Sequence, residues 1–354
     1  MLETPMDRRG FLGHLPGLAA IPGLLRAPRS ATDAPPIPGI GPWFAKMIKF
    51  GKIHAAGLKS TVGPLDPLLG ATYYDAQRVF YQIGDFSADP SWQDAANHAM
   101  TVYRDRYVLE NKGGVPGHWI FPHGIAEHYR RTKDPKSREA LVLLSRNAAF
   151  ARDSTPADWT RETVTSREVA YNIHNLLKAE EVGEPHRARL PLLVDQALGH
   201  IDQWFVSRKA PFCKPFMFGL TAEALIAYHT KTGDKRIPDA VKTGTDWLWK
   251  HAWSPQARAF VYLDREVKGE GGPDPAPDLN HLIAPAYAWL YRRTGEVRYR
   301  EQGDAIFSGG VDQAYLTGAK QFNQGYRWSF DYVLWRREGD LTHHPRRPRA
   351  ENKG

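Results

Sequence analysis

Four acidic residues lie close to predicted helix starts, among aromatic and polar side chains. They are Asp75, Glu168, Asp278 and Asp331. Cleavage of a glycosidic bond uses two carboxyl groups on either side of a sugar, one protonated and one ionised. We therefore predict that Asp75, Glu168 and Asp331 are catalytic and that Asp278 contacts the substrate.

Each of these acids also has a structural explanation. Asp278 could cap a helix, Glu168 could complement a helix dipole, and Asp75 could pair with Arg78 three residues along the same helix. Asp331 lies inside a helix and could be a buried, hydrogen-bonded carboxylate. The residues alone leave both explanations open for all four acids.

Aromatic and histidine side chains accumulate at the same helix starts and are predicted to bind a sugar. Aromatic rings offer apolar faces for stacking, and histidine can form hydrogen bonds or transfer a proton. Together with Asp278, the predicted substrate-binding residues are Tyr74, Trp119, His123, Tyr171, His174, His281 and Trp328.

Three histidines, His118, His123 and His128, look like a set of metal ligands. His123 and His128 are five residues apart, however, and so fall on different faces of a helix. Helical zinc ligands favour a spacing of four. We therefore predict no metal and no cofactor.

A short phrase that recurs six times indicates how these side chains are positioned. It reads aromatic-x-x-Thr-Gly-Asp or nearly so, as in Tyr228–Asp234 and Tyr291–Glu296, and successive copies are 49, 50, 50, 62 and 44 residues apart. Glycine ends a helix, the acidic residue suits the start of the next helix, and such spacing marks an array of one unit. We predict an all-α fold of six helical hairpins in a closed ring, an (α/α)6 toroid, rather than an open solenoid.

The predicted helices fall into an inner and an outer set. Inner helices are expected at about 72–83, 122–132, 166–181, 218–231, 279–293 and 327–337, and outer helices at about 91–108, 136–152, 186–206, 236–252 and 297–315. The last inner helix lacks a partner, so residues 42–57 are predicted to supply the twelfth helix. The long connections all lie at one end of the ring, which is where sites usually form.

The two ends of the chain differ from its body. Arg8-Arg9-Gly10-Phe11-Leu12 resembles a twin-arginine export motif. We predict an export signal at 1–34, one toroid domain at 40–340 and a polar disordered tail at 341–354. The expected location is periplasmic or secreted, with the twin-arginine export machinery as a partner and no stable membrane insertion. A disordered basic tail at the N-terminus is the alternative.

Charge and cysteine content exclude some classes of function. The net charge is +8, but much of it lies near the two termini, and no basic stripe or recognition motif points to nucleic acid. The single cysteine, Cys213, allows no intramolecular disulfide and is expected to be a small buried hydrophobe. The oligomeric state stays open.

Six hairpins with long loops at one mouth and acidic residues opening the inner helices resemble the six-hairpin glycosidase superfamily, over about residues 40–340. The resemblance implies a carbohydrate substrate and, most simply, a glycoside hydrolase. One alternative is a polysaccharide lyase acting on a uronate-containing glycan, using Arg167, Tyr171, His174 and Asn175. The other is a non-catalytic glycan-binding protein of the cell envelope.

Overall fold

A computed structural model describes residues 34–59 and 62–344, so the twin-arginine motif lies outside the described part. Its α-helices are α1 (Ile40–Gly57), α2 (Leu65–Thr72), α3 (Ala76–Ser87), α4 (Trp92–Met100), α5 (Pro122–Thr132), α6 (Pro135–Asn147), α7 (Ser166–Glu181), α8 (Arg189–Ile201), α9 (Pro215–Thr232), α10 (Arg236–His251), α11 (Asn280–Thr294), α12 (Val297–Gln313) and α13 (Ala319–His343). π-Helical turns at Thr101–Leu109 and Asp202–Val206 extend α4 and α8. The short strands β1 (Trp253–Ser254) and β2 (Ala259–Phe260) pair antiparallel.

The inner helices close into a ring. Each of α3, α5, α7, α9, α11 and α13 packs on the next, and α13 packs back on α3. Helices α4, α6, α8, α10 and α12 follow their inner partners in sequence and pack outside them. The predicted all-α (α/α)6 toroid is therefore confirmed.

The repeated phrase works as a helix stop in most hairpins. Helices α9 and α11 end at Gly233 and Gly295, whose φ angles of 72° and 74° are left-handed, and α5 ends in the same way at Lys133. The Asp134 side chain then accepts a hydrogen bond from the Lys136 N–H (3.0 Å) and caps α6. The first and sixth copies are different. Helix α3 continues through Gly84 and ends before a left-handed Ala88, and α13 continues through Gly339 to His343.

Helix α1 supplies the predicted twelfth element. Trp43 is almost completely buried against α13: its indole N–H donates to the Ser329 hydroxyl (2.9 Å), and the Tyr326 hydroxyl donates to its carbonyl (2.9 Å). Nearer the end of α1, His54 hydrogen-bonds the Leu316 carbonyl (2.9 Å). The first helix of the toroid thereby closes the ring against the last.

Some predicted boundaries were wrong. Helix α13 begins at Ala319 rather than 327. It continues to His343, so the tail predicted from 341 is helical for three more residues. Helix α3 begins at Ala76, which leaves Asp75 before the helix rather than inside it. No helix among the described residues is long and apolar enough to span a membrane.

Candidate active site

A narrow cavity opens among the N-terminal halves of the inner helices. It is lined by Tyr74, Asp75, Ile120, Phe121, Pro122, His123, Tyr171, His174, Arg327 and Trp328. Six of these residues were predicted as site residues from the sequence: Tyr74, Asp75, His123, Tyr171, His174 and Trp328. They come from four inner helices or the residues just before them, so ring closure is what brings them together.

Asp75 lines the cavity from a segment of strained backbone. Tyr74 and Asp75 are both left-handed, with φ angles of 65° and 67°, and neither is glycine. The Asp75 carboxyl accepts hydrogen bonds from the backbone N–H of Arg78 (3.2 Å) and of Gly124 (3.1 Å). A Cβ on Gly124 would lie 2.5 Å from this carboxyl, so α5 can approach only with glycine there. Burial raises the pKa of Asp75, with Arg327 and Arg78 opposing the shift.

An ion-pair network of two carboxyl groups and two guanidinium groups adjoins the cavity, and one of its members, Arg327, lines the cavity. Arg78 Nη2 contacts both oxygens of Asp331 (3.1 and 3.0 Å), and Arg327 Nη1 lies 2.8 Å from Glu223 Oε1 and 3.7 Å from Asp331 Oδ2. The Trp328 indole N–H donates to Glu223 Oε2 (2.5 Å).

The surroundings shift the pKa values of Glu223 and Asp331 in opposite directions. Burial alone would raise the pKa of Glu223, but Arg327 and His174 hold it well below its usual value. Burial raises the pKa of Asp331 against the charges of Arg78 and Arg327. Neighbouring acids whose pKa values are driven apart are typical of catalytic sites, although ion-pair networks produce such shifts too.

His174 is buried beside the cavity with an incomplete set of hydrogen bonds. It is 4% exposed, and its Nδ1 has no hydrogen-bond partner among the described residues. Its Nε2 lies 3.5 Å from Glu223 Oε2, and its ring centroid lies 4.5 Å from that of His123. Burial lowers the pKa of both histidines, most strongly for His123, where Arg327 adds to the effect. Both rings are therefore neutral near pH 7, and a neutral imidazole can accept a proton.

His123, His174 and Glu223 are the three side chains in the described part that could share a metal ion, because their donor atoms lie within 4.8 Å of one another. The Arg327 guanidinium already contacts two of them, at 2.8 Å from Glu223 and 3.3 Å from His123 Nδ1. A cation thus balances this set, and a divalent ion would have to displace it. This donor set fits a guanidinium better than a metal.

Aromatic rings form part of the cavity lining. Tyr74 packs edge-on against Trp328 (5.4 Å between centroids), and Tyr171 packs against Phe121. The Tyr171 hydroxyl is buried and has no hydrogen-bond partner among the described residues. Trp119 does not line the cavity; its ring supports Tyr73 at 4.6 Å.

The other predicted acids lie around the cavity rather than in its wall. Glu168 accepts two hydrogen bonds from the Arg167 guanidinium on one oxygen (3.0 and 2.7 Å). Asp278 lies in a 3-10 turn, where its carbonyl accepts from the Gln324 amide (2.8 Å). Asp331 lies beneath the cavity against Arg78. Asp75 is thus the one predicted catalytic acid in the cavity wall.

Two residues predicted from the sequence point elsewhere. His281 lies between the carbonyls of Gly325 (2.9 Å) and Phe307 (3.1 Å), beside a second small cavity at the junction of α1, α12 and α13. The Asn175 amide, considered for a lyase, donates to the Leu144 carbonyl (3.1 Å). Both side chains pack between helices because residues on an inner helix face the ring axis only once per turn.

Two functional candidates were missed. Glu223 lies in the middle of a largely apolar helix, where an unpaired charge is too costly to bury. That isolated glutamate was a usable signal in the sequence. Arg327 was missed because the sequence predicts that a helix begins there, whereas Arg327 lies within α13, more than two turns from its start.

Comparison with known proteins supports the fold assignment. A solved structure described as an unsaturated glucuronyl hydrolase specific for heparin superposes with a TM-score of 0.59 at 12% identity, over 85% of this chain and 97% of that one. At this identity the similarity establishes the six-hairpin toroid fold alone. No protein-family model matches the chain, and no curated protein matches it.

Proposed function

We propose that this chain is a carbohydrate-active enzyme that hydrolyses a glycosidic bond of a poly- or oligosaccharide in the inner-helix cavity. The observation that carries the proposal is the strained Tyr74–Asp75 pair, which holds a buried carboxyl group with a raised pKa against the cavity. Backbone strain of this kind costs free energy and persists mostly at functional sites. The fold it shares with a glucuronyl hydrolase is a supporting analogy.

The residues around the cavity suggest a division of roles. Asp75, protonated, gives its proton to the oxygen of the leaving sugar as the glycosidic bond breaks. His174, neutral and oriented by Glu223, takes a proton from the water whose oxygen bonds to the sugar carbon. Arg327 neutralises Glu223 and lines the cavity, and the Tyr74, Tyr171 and Trp328 rings contact the sugar.

A polysaccharide lyase is the second candidate, and one observation favours it. Tyr171 and His174 both present buried polar atoms without hydrogen-bond partners beside Arg327. In an elimination, Arg327 would neutralise a uronate carboxylate, His174 would remove the adjacent carbon-bound proton, and Tyr171 would protonate the leaving oxygen. Glu168 and Asp331 have no direct role in either scheme; Asp331 positions Arg78.

Product analysis separates these schemes. We would incubate the protein with heparin, chondroitin and xylan oligosaccharides and follow both reducing ends and ultraviolet absorbance. Hydrolysis of a saturated glycan predicts new reducing ends without new absorbance, whereas elimination predicts both. Binding without turnover would favour the non-catalytic glycan-binding alternative.

Asp75→Asn tests the assigned acid. It keeps the size and most hydrogen bonding of the side chain, so the fold should persist while turnover falls about 10²–10⁴-fold. Asp312→Asn is the control, because Asp312 pairs with Arg258 on the exterior. Full activity of Asp75→Asn would remove Asp75 from the mechanism.

We also propose that the chain is exported through the twin-arginine route to the periplasm or beyond. The support is the Arg8-Arg9-Gly10-Phe11-Leu12 motif. Replacing Arg8 and Arg9 by lysine should leave the precursor in the cytoplasm, as followed by cell fractionation. Normal export of the double variant would mean that the signal is of another kind.

A further inference from the structure

One buried hydroxyl group fixes the segment of chain that leads into α5. The Tyr103 hydroxyl donates to the Trp119 carbonyl (2.5 Å) and accepts from the Phe121 N–H (2.8 Å). In the described part of the chain, no other hydrogen bond joins the backbone of residues 118–121 to a distant element. The position of this segment therefore depends on Tyr103.

The segment held by Tyr103 belongs to the cavity wall. Ile120, Phe121 and Pro122 line the cavity beside Asp75. Pro122 is the first residue of α5, and the Gly124 N–H in the same turn donates to both oxygens of the Asp75 carboxyl group (3.2 and 3.1 Å). A displacement at Phe121 would therefore move both the wall and the backbone donor that holds Asp75.

Tyr103 ties this wall to the outer layer of the ring. It lies in the π-helical stretch Thr101–Leu109, which packs against α2 and α6. Its side chain is fully buried, and its ring contacts the Phe121 ring with 5.6 Å between centroids. Because a phenylalanine ring could fill the same space, Tyr103→Phe separates the two hydrogen bonds from the packing.

Tyr287 is a matched tyrosine away from the cavity. It is also fully buried, and its hydroxyl donates to the Thr245 carbonyl (2.8 Å), which joins α11 to α10. It is not among the residues that line the cavity. Tyr103 and Tyr287 thus share burial and a hydrogen bond to a backbone carbonyl, and they differ in the part of the molecule that they hold.

From these contacts we propose that Tyr103 is a positioning residue of the active site, which holds the start of α5 where its Gly124 N–H fixes the carboxyl group of Asp75. Tyr103 touches no substrate and acts through Phe121 and Gly124. A backbone N–H stabilises the ionised form of a carboxyl group, so the Gly124 hydrogen bond opposes the burial that raises the pKa of Asp75. The catalytic consequence rests on the proposed role of Asp75 as the acid.

The test compares Tyr103→Phe with Tyr287→Phe on the heparin, chondroitin and xylan oligosaccharides of the product analysis. Each variant loses one buried hydroxyl group, so the two melting temperatures should fall by similar amounts. Only Tyr103→Phe should lower kcat, roughly ten-fold with a smaller change in KM, because the acid is misplaced while the contacts with the sugar remain.

The titration of the Asp75 carboxyl group gives a readout that does not need turnover. It can be followed by carbon NMR, with Asp75→Asn identifying the signal. It should move to higher pH in Tyr103→Phe alone, because a weaker Gly124 hydrogen bond favours the neutral acid. The charges that face Asp75, on Arg78 and Arg327, are the same in each protein. The basic limb of the pH–rate profile should move in the same direction, since a general acid works only while it is protonated.

The outcomes separate the positioning role from the proposed function. An Asp75 titration that is the same in Tyr103→Phe and wild type would overturn the positioning role, as would an equal loss of kcat in Tyr287→Phe. A larger loss of melting temperature in Tyr103→Phe with an unchanged titration would mean that Tyr103 serves the fold alone. Absence of turnover on every glycan by the wild type would count against the proposed function, and the titration would still decide whether Tyr103 holds Asp75.

Discussion

Helix α13 carries two arginine–aspartate pairs with the same four-residue spacing in very different surroundings. Arg327 and Asp331 belong to the cavity network, which also contains Arg78, Glu223 and His174. Arg336 and Asp340 belong to the closing network, which also contains Asp304, Tyr332 and Tyr291. Both networks are buried, and both combine guanidinium with carboxylate.

The polar groups of the closing network form hydrogen bonds with one another and with the backbone. Arg336 is fully buried and donates to both oxygens of Asp304 (3.0 and 3.1 Å), to Asp340 and to the Pro35 carbonyl (3.2 Å). The Tyr332 hydroxyl donates to Asp304 (2.5 Å). By contrast, His174 beside the cavity has no partner for Nδ1 among the described residues, and its Nε2 has only the 3.5 Å contact with Glu223. Unsatisfied buried polar groups are costly, so we propose that the closing network stabilises the ring and that the cavity network binds a ligand.

The largest expected effect is a difference in stability between the Asp304→Asn and Asp331→Asn variants. Asp304→Asn should lower the free energy of unfolding by up to about 3–5 kcal/mol, because it removes the carboxylate charge that receives two hydrogen bonds from buried Arg336 and leaves this arginine paired with Asp340. Asp331→Asn should cost less stability, since Arg78 is partly exposed, and should reduce turnover. Urea unfolding measures both, and similar losses of stability would contradict the distinction.

Acid should destabilise the fold through His281, which is buried between α11, α12 and α13. Burial holds the pKa of His281 at about 4 in the folded chain, below its ordinary value of 6.5. The unfolded chain therefore takes up the proton first, so this contribution is complete above pH 6.5 and is lost as the pH falls towards 4. The expected loss from His281 alone is about 3 kcal/mol. Urea midpoints that stay constant or rise between pH 7 and pH 4.5 would speak against it.

A matched pair of histidines sharpens the comparison, because His174 and His281 are each 4% exposed. His174→Asn should reduce turnover about 10²-fold and leave the unfolding midpoint nearly unchanged, since Nδ1 has no hydrogen-bond partner in the described structure and Nε2 has only the 3.5 Å contact with Glu223. His281→Asn should do the opposite, because its nitrogens face two backbone carbonyls. Equal destabilisation by the two changes would be inconsistent with separate roles.

The smallest expected effect concerns two tyrosine hydroxyls. Tyr332→Phe should cost about 1–2 kcal/mol of stability, because it removes a buried hydrogen bond to Asp304. Tyr171→Phe should cost nothing or stabilise slightly, and should weaken substrate binding, because its hydroxyl has no partner in the described part. Thermal melts and KM values test the pair. A clear destabilisation by Tyr171→Phe would contradict the proposal that the Tyr171 hydroxyl is free to bind a substrate.

The ring was predictable from the sequence because its signals are local. Glycine turns, an acidic residue after them and apolar periodicity are all readable along the chain, and helix 166–181 was placed at its observed bounds. The start of α13 was not, because Asn323 and Gly325 resemble loop residues. In the fold Asn323 is buried, and its amide donates to the carbonyls of Ala71 and Tyr73.

The site was predictable only in part, for a physical reason. Residues near inner-helix starts, such as Tyr74, Asp75 and His123, converge because of topology alone. Glu223 is recruited from the middle of a helix by Arg327 and Trp328, which come from a distant part of the chain. The left-handed backbone at Tyr74 has no sequence signature either, because a bulky aromatic residue rarely adopts this conformation, whereas aspartate adopts it more readily.

The central claim is that the cavity network serves a ligand and the closing network serves the fold. Its most direct test measures turnover and unfolding midpoint together for Arg327→Lys and Arg336→Lys, which both keep the charge but lose the forked hydrogen bonding. We predict that Arg327→Lys loses at least 10²-fold in turnover with a nearly unchanged midpoint, and that Arg336→Lys loses stability while its folded fraction turns over normally. Both variants losing the same property, whether stability or turnover, would contradict the claim.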